Sequence, residues 1–291
     1  GGFAPKMDAF QSLAHTLTTL PSGGFSPMGR SVEAFSGPVQ WLLIPFMFVA
    51  AMNFALLWRA IKVGPSSLLE NTEFKVYLWL FAIAGVIVSA MLLFEGEYAS
   101  VEESFRTGFF QLATFITTTG FASADFAQWS EETMMVLIVL MFVSGCVGST
   151  SGGLKIMRWI VGVKVVYREV IQRIHPSSVR PLRMGDRVLK DGVIRGAMVL
   201  IISYLSLFAI STVVVTIDTH IAGQDLEIME VVTACAATLG NIGPGLGAVG
   251  PMENFEFFPV FSKLWMCFLM VAGRLELMTA LVLLAPDYWT D

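Results

Sequence analysis

The chain has 291 residues, of which 55% are hydrophobic and only 14% are charged, and its mean hydropathy is +0.70. Soluble chains usually carry about 25% charged residues, so this composition excludes a soluble globular protein and indicates an integral membrane protein. The formal net charge is −5. The three cysteines have no paired spacing, so they predict neither a disulfide framework nor a metal site.

Charged residues are distributed unevenly along the chain. Lys and Arg cluster at 59–75 and at 155–195, whereas Glu and Asp are concentrated at 95–103 and at 218–230. By the positive-inside rule, the two basic segments face the cytoplasm. The acidic segments are then expected on the external face.

Five apolar stretches are long enough to be drawn as membrane spans of about 20 residues or more. In chain order they are 38–58, 75–94, 132–165 with an interruption, 193–217 and 257–285. Three shorter helices are predicted near 7–20, 101–116 and 228–239. At about 1.5 Å per residue these cannot cross about 30 Å of hydrocarbon, so we expect them to enter the membrane and turn back.

Each of the three short helices is followed by a similar phrase, here called a glycine segment. The glycine segments are Ser22-Gly23-Gly24-Phe25, Thr118-Thr119-Gly120-Phe121 and Asn241-Ile242-Gly243-Pro244. Glycine tolerates positive φ, so successive carbonyls can turn toward a common axis, and Ser and Thr hydroxyls can add further oxygens. No carboxylate lies in any glycine segment, which favours a weakly hydrated monovalent cation over a divalent one. Non-helical backbone at membrane depth is tolerated where it lines water, so the segments are expected to converge on a pore.

The order of span, short helix, glycine segment and span repeats along the chain. Gly24 and Gly120 are 96 positions apart and Gly120 and Gly243 are 123 apart, the excess being a basic insertion around 166–192. We interpret 1–62 as a second repeat lacking its first span, 63–175 as a third and 176–291 as a fourth. A cage of near-fourfold symmetry needs four segments, so we expect the chain to be part of a longer protein whose first repeat is absent here.

Two further features could gate such a pore. The glycine- and hydroxyl-rich segment 144–153 makes a continuous helix costly and predicts a loop inside the third span. Arg274 lies among apolar residues, where its insertion costs about 2.5–3.5 kcal/mol, so it should face the bundle interior or water and act as an electrostatic barrier to cations. Its expected partner is a loop carbonyl or pore water, because Glu276 lies on another helical face.

These motifs resemble those of the TrkH membrane subunits of bacterial potassium uptake systems, within the Trk/Ktr/HKT superfamily. The resemblance covers nearly the whole chain. Its most specific parts are Thr117-Thr118-Thr119-Gly120-Phe121, Gly148-Ser149-Thr150-Ser151-Gly152-Gly153-Leu154-Lys155, Asn241-Ile242-Gly243-Pro244-Gly245-Leu246-Gly247 and Gly273-Arg274-Leu275-Glu276. The ending 284–289 is also similar.

The resemblance implies an all-α polytopic membrane protein in which repeated M1–pore helix–M2 units with re-entrant pore loops surround a central ion path. Potassium would bind at filter carbonyls, and the glycines Gly24, Gly120 and Gly243 would be the filter glycines, with Gly23 an alternative register for the first. The full filter set is Ser22, Gly23, Gly24, Thr118, Thr119, Gly120, Asn241, Ile242 and Gly243. The implied intramembrane gate comprises Gly145, Gly148, Ser149, Thr150, Gly152, Gly153 and Lys155, with Arg274.

The resemblance also implies partners and a location. We expect a homodimer in the bacterial inner membrane, a peripheral cytoplasmic nucleotide-binding regulator of the TrkA type, no organic cofactor and no nucleic acid. The sequence leaves open whether ions move as in a channel or with coupled protons or sodium. A non-transporting membrane scaffold is the alternative from a different class, and no catalytic constellation that would indicate an enzyme is found in the sequence.

Overall fold

A computed structural model of the protein describes residues 7–178, 180–185 and 187–275, together with Leu277, Val282 and Tyr288. Within these residues the chain is predominantly helical, as predicted. The helices are α1 (Ala9–Thr19), α2 (Gly37–Ala50), α3 (Phe54–Val63), α4 (Ser66–Glu70), α5 (Thr72–Glu95), α6 (Val101–Ile116), α7 (Glu131–Leu140), α8 (Ile156–Ile174), α9 (Asp191–Ile221), α10 (Ile228–Gly240) and α11 (Val260–Arg274). A small antiparallel hairpin, β1 (Arg183–Met184) and β2 (Arg187–Val188), lies in the basic insertion and was not predicted.

The three short helices form where the sequence predicts them, as α1, α6 and α10. They have 11, 16 and 13 residues, so none is long enough to cross a bilayer. Asp8 and Ser100 cap the first turns of α1 and α6 by accepting hydrogen bonds from the backbone N–H groups three residues on. All three helices run directly into a glycine segment at their C-terminal ends.

Two helices, α5 and α9, are each long and apolar enough to span a membrane, with a mean hydropathy of 2.4 over their best windows. The third predicted span is interrupted, as expected, because α7 ends at Leu140 and α8 begins at Ile156. We call residues 141–155 the central loop. Its two ends are joined by hydrogen bonds from Ser144 N to the Leu154 carbonyl (3.0 Å) and from Ile156 N to the Ser144 carbonyl (3.1 Å).

The first predicted span, 38–58, is wrong as a single helix. The chain leaves the helix after Ala50 and resumes at Phe54, and α2 and α3 meet at 97°. Asn53 stabilises this break by capping α3, its side-chain oxygen accepting from Leu56 N at 2.9 Å. The carbonyls freed at the break are bonded to the central loop, as described below.

The last predicted span, 257–285, is represented in the described residues by α11, which begins at Val260. Most of its C-terminal part, including Glu276 and the ending 284–289 apart from Tyr288, lies outside the described residues. No feature of the described residues tests the repeat boundaries at 62 and 175, which stay predictions.

The main apolar core forms where α2, α5 and α6 pack beside the glycine segment 118–121. Small residues allow α5 and α6 to approach closely. A Cβ placed on Gly108 would lie 2.9 Å from the Ser89 backbone, and one placed on Gly85 would lie 2.4 Å from the Phe109 ring. This packing fixes α6, and with it the glycine segment that follows.

Candidate functional site

The three glycine segments have the same backbone conformation. The φ angles are 54° at Ser22, 52° at Thr118 and 55° at Asn241, then 67° at Gly24, 90° at Gly120 and 107° at Gly243. Each segment thus begins with a left-handed residue and places a positive-φ glycine two positions later. This pattern aligns Gly24, not Gly23, with the other two glycines and resolves the register that the sequence left open.

The repeated conformation follows from how the three short helices end. In each, the N–H of the second residue of the glycine segment bonds to a carbonyl five residues earlier. This is the 6→1 bond of a Schellman-type cap. These bonds run from Gly23 N to Thr18 O (2.8 Å), from Thr119 N to Thr114 O (3.0 Å) and from Ile242 N to Ala237 O (2.9 Å). The negative ends of three helix dipoles, each about half a charge, are therefore directed at the glycine segments.

Adjacent glycine segments are in backbone contact. A Cβ on Gly24 would lie 1.9 Å from the Thr119 carbonyl oxygen, and a Cβ on Gly120 would lie 2.2 Å from the Ile242 carbonyl oxygen. Side chains have no room at these two positions, and their φ angles disfavour any residue with a Cβ. Glycine is thus required here because neighbouring segments approach each other at backbone distance.

Two cavities border the glycine segments. The smaller, of about 320 Å³, is lined by all three glycines, Gly24, Gly120 and Gly243. The larger, of about 810 Å³, borders the first and third segments from the side of α11 and includes Ser22 and Arg274 in its lining. The structure thus brings the sequence-predicted filter glycines together at one opening.

The central loop contacts all three glycine segments. Thr150 Oγ1 lies 2.8 Å from Ser22 Oγ, and Gly152 N donates to Thr118 Oγ1 at 2.8 Å. A Cβ on Gly152 would lie 2.7 Å from the Cβ of Asn241. The hydroxyls of Ser22 and Thr118, which the sequence suggested as extra cation ligands, are therefore engaged by the loop.

The bend between α2 and α3 holds the other side of the central loop. The Ala50 carbonyl accepts from Thr150 Oγ1 (3.0 Å), and the Ala51 carbonyl accepts from Cys146 N (2.9 Å). Asn53 Nδ2 donates to the Val147 carbonyl at 2.7 Å. The backbone groups left free by the broken helix are thus satisfied by the loop, which explains why the break is tolerated inside an apolar segment.

Lys155, at the end of the central loop, is buried and only 4% exposed. Its Nζ donates to the Ser151 carbonyl and lies 3.1 Å from Ser151 Oγ and 3.3 Å from Ser149 Oγ. The ammonium is thus surrounded by oxygens of the loop itself. Gly145, Gly148 and Gly153 lie in the same loop, the last two with positive φ.

Arg274 contacts the first glycine segment from α11. Its Nη2 donates to the Pro21 carbonyl at 2.8 Å, immediately before Ser22. Arg274 is thus bonded to a loop carbonyl although it is exposed, and its role as a barrier stays a prediction.

Two polar residues of this site were missed by the sequence interpretation. Asn53 was hidden inside a predicted span, and Glu73 resembles an ordinary acidic residue in the first turn of α5. In the structure Glu73 is 7% exposed, and its Oε1 accepts from Val147 N at 2.8 Å. Asn53 is a local N-cap signal for α3 that the continuous predicted span overlooked. The bonds of Asn53 and Glu73 to the central loop leave no local signal, since the loop is about 75 to 95 positions away.

Comparison with known proteins places this geometry in a family. The TrkH family profile, described as "Cation transport protein", matches residues 3–290. The Trk system potassium uptake protein TrkH of Escherichia coli K12 is 29% identical over 98% of this chain and 58% of its own length, and TrkI of Halomonas elongata is 31% identical over 99% and 57%. The chain thus spans somewhat over half the length of these curated relatives.

The fold agrees with a solved structure of the same kind. The crystal structure of the potassium transporter TrkH from Vibrio parahaemolyticus superposes with a TM-score of 0.89 at 28% identity, covering 97% of this chain and 60% of that one. The helical architecture predicted from the sequence is therefore confirmed as a membrane-transporter fold. From its profile match, its relatives and its fold, the chain belongs to the TrkH family of cation transport proteins.

Proposed function

We propose that this chain forms part of a potassium uptake pathway across the bacterial inner membrane, with the three glycine segments as its selectivity filter. The observation that carries this proposal is that Gly24, Gly120 and Gly243 share one backbone conformation and line one cavity. The relatives named as potassium uptake proteins support the choice of ion.

Potassium suits the chemistry of the glycine segments. They offer neutral carbonyl oxygens, whose number and field select among monovalent cations, and no carboxylate that would favour a divalent ion. Three helix C-termini add negative potential at the same place. A weakly hydrated cation can exchange its water for these oxygens, whereas a small, strongly hydrated cation pays more to dehydrate.

The central loop is the proposed gate in this pathway. It touches each glycine segment and carries the buried ammonium of Lys155, while Arg274 adds a second positive charge beside the first segment. Both charges oppose a cation leaving the filter. In this scheme, ions pass when the loop moves away from the glycine segments.

The partners proposed for this function are a second copy of the chain and a cytoplasmic nucleotide-binding regulator of the TrkA type. The basic segment 155–195 supplies positive charge on the side where such a regulator would dock.

Ion flux in liposomes tests the proposal. The protein, expressed from its full coding sequence and reconstituted, is compared for rubidium and sodium influx with and without a pH gradient. Influx selective for rubidium and indifferent to the gradient is the expected result for a gated pore. Selective influx that follows the gradient would indicate proton-coupled symport, and the absence of any cation influx would refute transport.

A further inference from the structure

Glu73, in the first turn of α5, contacts the central loop. Its Oε1 accepts a hydrogen bond from Val147 N at 2.8 Å. The Glu73 carboxylate therefore ties the start of α5 to the backbone of the central loop.

Burial makes this hydrogen bond important. Glu73 is 7% exposed, and a buried carboxylate is costly without a hydrogen-bond donor, which the Val147 N–H supplies. The position of the Glu73 side chain is therefore coupled to that of the central loop.

The peptide groups at Val147 are held from two sides. Glu73 accepts from the N–H of Val147 while Asn53, at the α2–α3 bend, donates to its carbonyl at 2.7 Å. Three residues later, Thr150 contacts the first glycine segment through Ser22. Holding Val147 thus fixes the part of the loop that reaches the glycine segments.

We propose that Glu73 is a positioning residue of the gate, whose carboxylate keeps the central loop docked beneath the glycine segments. The flux consequence rests on the proposed function, whereas the effect on loop position does not. Loss of the carboxylate leaves the Val147 N–H without its acceptor and favours the undocked loop. Hydrogen bonds to charged groups are strong enough that we expect at least about a tenfold rise in the undocked population.

A native cysteine reports the loop position directly. Cys146 adjoins Val147 and is 1% exposed, so a water-soluble methanethiosulfonate reagent reaches it only when the loop undocks. Cys235, buried in α10, serves as an internal reference for general loosening. Labelling of both is followed by peptide mass spectrometry in a Cys267→Ser background, since Cys267 is exposed.

The expected order of Cys146 labelling rates is wild type, then Glu73→Gln, then Glu73→Ala, with Cys235 unchanged. Glu73→Gln keeps the shape and one acceptor oxygen but loses the charge, so it decides the matter if Glu73→Ala does not fold. The matched control is Glu70→Gln, because Glu70 is exposed and pairs with Arg59 on the surface. Equal labelling of Cys146 in wild type and both Glu73 variants, or parallel increases at Cys235, would overturn the proposal.

Rubidium influx separates this inference from the proposed function. If wild type transports rubidium, Glu73→Gln should raise its basal influx. Faster Cys146 labelling with no influx in any variant would reject transport and retain the positioning role. Rubidium influx in wild type with unchanged Cys146 labelling in the Glu73 variants would retain transport and reject the positioning role.

Discussion

Replacing Gly120 with Ala tests whether the glycine segments determine ion selectivity. The new Cβ would lie 2.2 Å from the Ile242 carbonyl oxygen, and real Cβ contacts essentially never fall below 3.0 Å. The two segments must therefore separate by at least 3.0 − 2.2 = 0.8 Å. The backbone at φ 90° adds strain of about 1–3 kcal/mol for a residue with a Cβ.

This displacement acts on carbonyls that would contact the ion. If about 1.4 kcal/mol of the strain falls on the potassium-bound state, the preference for potassium over sodium drops about tenfold. The assay is the ratio of rubidium to sodium influx in liposomes. Gly196→Ala is the matched control, since its Cβ would have no neighbour within 4 Å. A Gly120→Ala protein that folds and keeps the wild-type ratio would refute the filter assignment.

Two further substitutions test the gate region. Arg274→Ala should raise cation influx because it removes a positive charge beside Pro21. Arg274→Lys keeps the charge and should retain most of the barrier to cations. A loss of influx at normal protein yield would instead indicate that Arg274 has a structural role. Asn53→Ala should lower the free energy of unfolding by about 1 kcal/mol more than Asn71→Ala. Each variant loses one helix cap, but Asn53→Ala also loses the hydrogen bond to the Val147 carbonyl. Thermal unfolding in detergent measures this difference, and equal shifts for the two variants would contradict it.

Local features of the sequence were sufficient to predict the parts of the fold that depend on local chemistry. Helix length separated α1, α6 and α10 from the spans, and the glycine and hydroxyl content of 144–153 predicted the central loop. The repeated phrase predicted the three glycines that the structure brings to one cavity. The choice between Gly23 and Gly24 as the counterpart of Gly120 and Gly243 required the structure, because adjacent glycines tolerate positive φ equally well.

The contacts that organise the site depend on distant parts of the chain. Segment 38–58 is apolar apart from Gln40 and Asn53, and the bend within it is stabilised by a bond from Thr150 to Ala50, 100 positions away. Glu73 likewise acquires its role only when the central loop packs against α5. Sequence periodicity describes what one segment can bury, not which backbone group from another segment will need a partner.

The backbone contacts between glycine segments have a consequence for how such proteins can change ion preference. Because Gly24 abuts the Thr119 carbonyl and Gly120 abuts the Ile242 carbonyl, an altered residue in one segment shifts the oxygens contributed by its neighbour. If the glycine segments form the proposed filter, selectivity is therefore a property of the joined segments rather than of any one of them. Grafting a single segment from a relative with another preference would misplace its neighbour, so redesign requires exchanging the contacting segments as a set.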